Sequence, residues 1–126
     1  MSIKEIAKAW MRKNYPNELS SIMKREQTLR ASKYYPGQGI WWFTFSTSYF
    51  EKNIGHIDIL LQFEKEPDQF HYLKVPFDFL RNNKTKFDKR SSGDKFDLHI
   101  SAKQCNWLID ERSKGVGFNE FEQKLF

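Results

Sequence analysis

Alternation of apolar and polar side chains is the feature that most limits how this chain can fold. It occurs in short segments, at 27–33, 40–46, 56–64, 69–75 and 96–101. A period of two is typical of strands with one buried face, and short connections favour antiparallel neighbours. With 107–109 as a last strand, the pattern predicts a mostly antiparallel sheet or partial barrel of five to six strands. The residues expected to face its core are Leu29, Ala31, Trp41, Phe43, Phe45, Ile57, Ile59, Leu61, Phe63, Phe96, Leu98 and Ile100. The outward positions of 56–64 are His56, Asp58, Leu60, Gln62 and Glu64.

Patterns typical of helices occur before the first predicted strand and again in two short segments later in the chain. Residues 2–14 have apolar side chains at i, i+3, i+4 and i+7, and Ser2 with Glu5 forms a capping box. Pro16 ends this helix because the residue before a proline avoids the helical conformation. A second helix is expected from Asn17, a third over 76–82, and a turn capped by Asn119 at the C-terminal end. The apolar residues assigned to these elements include Trp10, Leu19, Ile22, Met23, Phe121 and Leu125.

Helices followed by an antiparallel sheet define the α+β class. At 126 residues we expect one domain, with a helical part at 1–26, a sheet region at 27–118 and a helical turn at 119–126. The 12 Phe, 5 Tyr and 4 Trp residues bury large areas, so we expect a substantial core rather than disorder.

Cysteine usage and the N-terminal residues point to the cell interior. Cys105 is the single cysteine, so it cannot form an intramolecular disulfide, and we expect it to be buried or incidental. The first residues lack the apolar stretch of a signal peptide, and no apolar run approaches the roughly 18 residues of a membrane span. These features predict a cytoplasmic protein without a membrane partner.

Positive charge is concentrated in two segments of a chain whose net charge is +5. Residues 1–33 hold eight Lys or Arg against three Glu, and residues 81–95 hold six against two Asp. Such a distribution favours a polyanion as partner, because neutralising phosphates releases counterions. We therefore predict a nucleic-acid-binding module, with DNA ahead of RNA, in which 81–95 is an extended basic loop. The candidate contact residues are Arg30, Lys33, Trp42, Arg81, Asn82, Asn83, Lys84, Lys86, Lys89, Arg90 and Lys95.

Simpler interpretations of the same residues stay open. A basic loop is also typical of a solvated face that only keeps a protein soluble. Exposed rings such as Trp42, Tyr34 or Tyr35 can stack on the bases of a single strand. For Trp42, however, we expect the N-terminal helices to cover the ring.

Catalytic patterns are weak. The pairs His56/Asp58 and Asp97/His99 could each orient a general base, but they also fit outward polar positions on strands. A divergent metal-dependent nuclease using Asp58, Glu64, Lys74 or His99 is an alternative, although Lys74 is not part of a Glu-x-Lys tripeptide. Another alternative is a protein-interaction or inhibitor protein with an aromatic-rich surface. We expect no catalytic residue, no cofactor and no resident metal, since zinc-ligand and phosphate-loop spacings are missing.

One resemblance runs through residues 41–101. The segments WWFTFS, HIDILLQFE, YLKVPFDFL and FDLHIS follow one another, and a polar loop precedes the last. This order resembles small domains that accompany restriction-modification and related DNA-defence enzymes. The resemblance implies recognition of DNA or modified DNA, by an independent protein or by an enzyme's specificity module. It supplies no catalytic residue.

Overall fold

The fold is described by a computed structural model for residues 2–24, 29–113 and 115–123. Within these ranges it has three α-helices and eight strands, which confirms the α+β class. The helices are α1 (Ile3–Asn14), α2 (Pro16–Lys24) and α3 (Phe77–Asn82). The strands are β1 (Leu29–Ser32), β2 (Tyr34–Tyr35), β3 (Ile40–Ser46), β4 (His56–Gln62), β5 (Phe70–Pro76), β6 (Asp88–Lys89), β7 (Lys95–Ser101) and β8 (Glu122–Gln123). Short 3₁₀ turns lie at Thr47–Glu51, Gln104–Asn106 and Asn119–Phe121.

The strands form two four-stranded sheets rather than the single sheet of five to six strands expected from the pattern. Sheet 1 has the order β1-β4-β5-β8 and sheet 2 the order β2-β3-β7-β6. The chain changes sheets at Lys33, because β1 pairs in parallel with β4 whereas β2 pairs antiparallel with β3. Hydrogen bonds link the two sheets at this point: Trp42 N donates to Ser32 Oγ, and Arg30 Nη2 donates to Thr44 O.

The main core lies between the inner faces of the two sheets. Apolar residues alternate along β3 and β7, so the aromatic and aliphatic side chains of both strands point inward, as predicted. They pack there against the odd-numbered residues of β4. Trp41 is fully buried, and its indole Nε1 donates to Gln62 O at 2.8 Å across the sheets. The prediction for Phe63 is less accurate, since β4 ends at Gln62 and Phe63 is half-buried.

Helices α1 and α2 cover the opposite face of sheet 1 and form a second apolar cluster. Trp10, Leu19 and Ile22 pack there, and Ser2 Oγ accepts from Glu5 N at 3.2 Å, which confirms the predicted cap. Leu29 and Ala31 face this cluster and not the core between the sheets. The expectation for Met23 is wrong, because its side chain is 63% exposed on α2.

Strand β4 is covered on both faces as a result. Ile57, Ile59 and Leu61 contact the core between the sheets, while Leu60 packs under the helices. The outward assignment of Leu60 is therefore wrong, and so is that of Asp58, which is fully buried.

Residues 81–95 are folded, not extended. Phe87 is buried, and its ring stacks with that of Phe96 at 5.1 Å and with that of Phe50 at 6.1 Å between centroids. This anchor lets the next two residues pair with β7 as strand β6. The predicted basic loop is thus divided into turns at 83–86, a buried ring, a short strand and a second turn.

The segment after β7 departs most from the prediction. Residues 107–109 do not form a strand, since Leu108 adopts φ 59°, and Ile109 makes an isolated bridge to Gly117. Asn119 is not a cap, because it is the first residue of a 3₁₀ turn that begins after Phe118, and Glu122 lies in β8. Leu125 falls outside the described residues, as do positions 25–28 of the predicted helical part and first strand. Cys105 is exposed in the Gln104–Asn106 turn.

Candidate nucleic-acid interface

The outward side of sheet 2 faces solvent and is called the open face here. Register pairs Trp42 with His99, Thr44 with Asp97 and Ser46 with Lys95. The inward neighbours of these residues fill the core, so the period of two leaves polar and aromatic side chains on the other side. The open face comprises Tyr35, Trp42, Thr44, Ser46, Lys95, Asp97 and His99.

An aromatic row crosses one half of the open face. The ring of Trp42 lies 5.3 Å from that of His99 and 6.4 Å from that of Tyr35. The Lys33 ammonium sits 5.2 Å from the Tyr35 ring centroid. Trp42 is 45% exposed, so the expectation that helices cover it is wrong: they pack on sheet 1 instead.

A hydrogen-bonded cluster occupies the other half. Arg90 Nε and Nη2 lie 3.2 and 3.1 Å from the Asp97 carboxylate, and Thr44 Oγ1 donates to Asp97 Oδ1 at 2.6 Å. Burial alone would raise the pKa of Asp97, but the hydrogen bonds from Arg90 and Thr44 outweigh it and lower that pKa. Arg90 therefore stands on the open face with its charge largely offset by Asp97.

Three predicted contact residues are held by intramolecular hydrogen bonds. Arg81 donates to Lys52 O at 2.9 Å and pairs with Asp78, which ties α3 to the segment before β4. Asn83 donates to Phe79 O at 2.8 Å at the end of α3. Arg30 donates to Thr44 O and lies 5.1 Å above the Phe45 ring, at the edge of the core. These contacts give Arg30, Arg81 and Asn83 structural roles.

Asn82 and the remaining predicted cations are exposed. Asn82, Lys84 and Lys86 lie at the end of α3 and in the turns after it. Lys89 lies in β6 with its ammonium 5.8 Å from the Phe50 ring centroid. The structure thus brings Lys33, Trp42, Arg90 and Lys95 together on the open face, whereas the others lie beside it or in the scaffold.

Asp58 belongs to a buried cluster under the helices. Tyr72 Oη donates to Asp58 Oδ1 at 2.5 Å, and His56 Nε2 lies 3.2 Å from the same oxygen. Burial raises the pKa of Asp58, although the hydrogen bonds from Tyr72 and His56 partly counteract it. Burial and the neighbouring Asp58 raise the pKa of Tyr72 as well.

The residues of the alternative nuclease are not assembled. Lys74 is the register partner of Asp58 but pairs with Glu18 at 2.8 Å. Glu64 contacts His71 at 3.4 Å beyond the end of β4, and His99 lies in the other sheet. In the part of the chain that the structure describes, no three His, Cys, Asp or Glu side chains are grouped as metal ligands would be.

Sequence reasoning missed Asp97 and Thr44 as members of the candidate interface. The signal was present, since both occupy outward positions of alternating strands. What was lacking was the register, which alone shows that these two residues face each other and meet Arg90.

Comparison with protein-family models, with curated proteins and with solved structures found no match to this chain. The resemblance to DNA-defence domains therefore stays a prediction. Among residues 2–24, 29–113 and 115–123, no helix has the length and apolar character needed to cross a membrane.

Proposed function

We propose that the protein binds single-stranded nucleic acid on the open face of sheet 2. The observation that carries the proposal is Trp42, which is 45% exposed in the middle of a solvent-facing sheet surface. Proteins that bind single strands commonly stack bases on exposed aromatic rings. Tyr35 and His99 flank Trp42 and extend the stacking surface to more than one base.

The surrounding charges suit a sugar-phosphate backbone. Lys33 and Lys95 lie at opposite ends of the face, and neither forms an ion pair within the described residues. Asp97 and its register partner Asp88 on β6 are each paired with an arginine, Arg90 and Arg112, so their charges are offset. Lys84 and Lys86 lie shortly before β6, which is the edge strand of the same sheet. A bound nucleic acid that extends past this edge would contact them.

A single strand suits this surface better than a duplex. In a duplex the bases are already stacked on each other, so a ring on a sheet face cannot insert without unstacking them. The resemblance of residues 41–101 to DNA-defence domains is the reason to test DNA before RNA.

Replacement of Trp42 tests the proposal directly. Loss of stacking costs about 1–3 kcal/mol per base, so Trp42→Ala should weaken binding of a labelled single-stranded oligonucleotide roughly five- to 150-fold. Ile54→Ala is the matched control, because Ile54 is 87% exposed and lies in the loop before β4. Fluorescence anisotropy measures the affinity, and circular dichroism checks the fold. Unchanged affinity of a folded Trp42→Ala variant would refute the proposal.

The salt dependence tests the role of the cations. On single strands each phosphate contact contributes about 0.7 to the slope of log affinity against log salt. The double variant Lys33→Ala with Lys95→Ala should therefore flatten the slope by roughly 1.4. Lys65→Ala removes one charge at the β4–β5 turn and should change the slope little. A change half as large as that of the double variant would mean that net charge, and not the open face, drives binding.

A further inference from the structure

A groove of about 350 Å³ opens where α1 and α2 meet the end of sheet 1. The rings of Trp10, Tyr15, Phe63 and Phe70 line it, and His71 and Glu122 supply polar atoms. Its volume lies in the range of small-molecule sites, which are typically apolar hollows with a few polar groups. The groove lies at the end of sheet 1, where Trp10, Tyr15 and Phe70 approach from the helix side and His71 and Glu122 from the side of Leu61 and Leu73. None of its lining residues belongs to the open face of sheet 2.

Two carboxylates at the groove share a single histidine. His71 Nδ1 lies 3.3 Å from Glu122 Oε2, and His71 Nε2 lies 3.4 Å from Glu64 Oε1. A neutral imidazole has one N–H, so it can donate to only one of the two carboxylates. A protonated imidazole donates to both but still leaves one negative charge in excess.

Nothing else in the described ranges offsets this charge. Within residues 2–24, 29–113 and 115–123, neither Glu64 nor Glu122 forms an ion pair with a lysine or an arginine. Glu122 is only 18% exposed, so water screens it poorly. A ligand that brings a positive charge to this point would gain more than it would at an exposed carboxylate.

The aromatic lining decides which kind of cation fits. Trp10 lies 5.6 Å from Tyr15 and 5.9 Å from Phe70 between ring centroids. Trp10 and Phe70 are buried, so the more accessible rings of the lining are those of Tyr15 and Phe63. Ring faces attract cations that keep little hydration, such as alkylammonium and guanidinium groups. A metal ion fits less well, because within the described residues Glu64, His71 and Glu122 are not grouped as metal ligands would be.

We propose that this groove is a binding site for an organic cation, an alkylammonium or guanidinium group held by the accessible rings of the lining and the Glu122 carboxylate. The cation belongs either to a free small molecule or to a lysine or arginine side chain of a peptide.

Titration followed by nuclear magnetic resonance tests the proposal on the intact protein. The indole Nε1–H of Trp10 is a local probe, because it donates to Gln69 Oε1 at 3.2 Å beside the groove. The ligands are choline, its uncharged tert-butyl isostere, and capped peptides with one trimethyllysine or one arginine. Saturable shifts with choline, with either peptide or with both support the site and identify the source of the cation. We expect the isostere to bind at least about fivefold more weakly than choline, the factor that corresponds to roughly 1 kcal/mol.

Matched variants localise the effect. Glu122→Gln removes one charge at the groove and should weaken cation binding about fivefold. Glu120→Gln removes one charge from the exposed turn two residues earlier and should leave binding unchanged. Phe63→Leu keeps an apolar side chain but removes a ring. It should also weaken the binding of choline more than the binding of the uncharged isostere. Equal binding of choline and the isostere, no binding of any cation, or equal effects of the two glutamine variants would overturn the proposal.

Discussion

Removal of the Tyr72 hydroxyl should destabilise the protein more when Asp58 is ionised than when it is protonated. Tyr72→Phe keeps the ring, which packs edge-on against Tyr15 at 4.9 Å, and deletes the donor to the fully buried Asp58. A hydrogen bond to a charged group contributes about 1.5–3 kcal/mol, and one between neutral groups about 0.5–1.5 kcal/mol. The loss of stability should therefore be roughly twice as large above the pKa of Asp58 as below it.

The pH dependence follows from the direction of the Asp58 shift. Burial raises the pKa of Asp58, so the folded chain keeps this proton at pH values where the unfolded chain has lost it. The resulting contribution to stability is complete below the unfolded pKa, about 4, and is lost as pH rises through the folded pKa. Asp58→Asn cannot titrate and should not show this loss. Tyr72→Phe removes a bond that favours the carboxylate, so it should raise the pKa of Asp58 further.

Urea unfolding of the parent, Tyr72→Phe and Asp58→Asn across a pH series measures these differences. Other carboxyl groups also shift on folding: the pKa of Asp110 is raised by burial, and that of Asp94 is lowered by the Ser92 hydrogen bond. Comparing each variant with the parent at the same pH cancels their contributions. An equal loss for Tyr72→Phe at both ends of the series, with an unchanged slope against urea, would refute the reasoning.

Three further changes test the fold. Trp10→Ala should lower the free energy of unfolding by about 3–5 kcal/mol in chemical denaturation, because Trp10 is buried between α1 and sheet 1; a loss as small as that of exposed Met23→Ala would contradict the packing. Phe87→Leu should cost about 1 kcal/mol or more by the same measurement, since the ring is buried within the supposedly solvated loop. Gly55→Ala should lower the free energy of unfolding by about 1–2 kcal/mol, because Gly55 has φ +94°, a conformation that is strained for a residue with a Cβ. Its Cβ would meet Phe77 only at ordinary contact distance, and Gly37→Ala serves as the unstrained control.

Local signals in the sequence predicted the elements well, because local energetics determine them. The Ser2 cap, the break at Pro16 and the alternation of β3 and β7 each depend on neighbouring residues. The division into two sheets depends instead on which strands pair with Leu29–Ser32 and with Tyr34–Tyr35. Neighbouring residues do not show which strand elsewhere in the chain a segment will pair with. The near-continuous apolar run of β4 did contain a hint, since a strand buried on both faces often has this pattern.

The candidate interface shows the same division. An outward Trp42 could be predicted from alternation, but its exposure depended on which sheet the helices cover. The roles of Arg81 and Arg90 could not be read from charge counts. Arg90 meets Asp97 through the pairing of β6 with β7, whereas Arg81 pairs with Asp78 one turn earlier in α3. The number of basic residues in 81–95 therefore overestimated the charge available to a partner.

The interleaved order of the two sheets has a consequence for synthesis on the ribosome. Ile40 pairs with Ser101, so β3 emerges about 60 residues before its main partner. At about 5–20 residues per second, its hydrogen-bonding edge has no β7 to pair with for roughly 3–12 s. Meanwhile β4 and β5 can form their hairpin but not the core between the sheets. The nascent chain therefore carries an unpaired strand edge during this time, and the yield of folded protein should depend on the rate of translation.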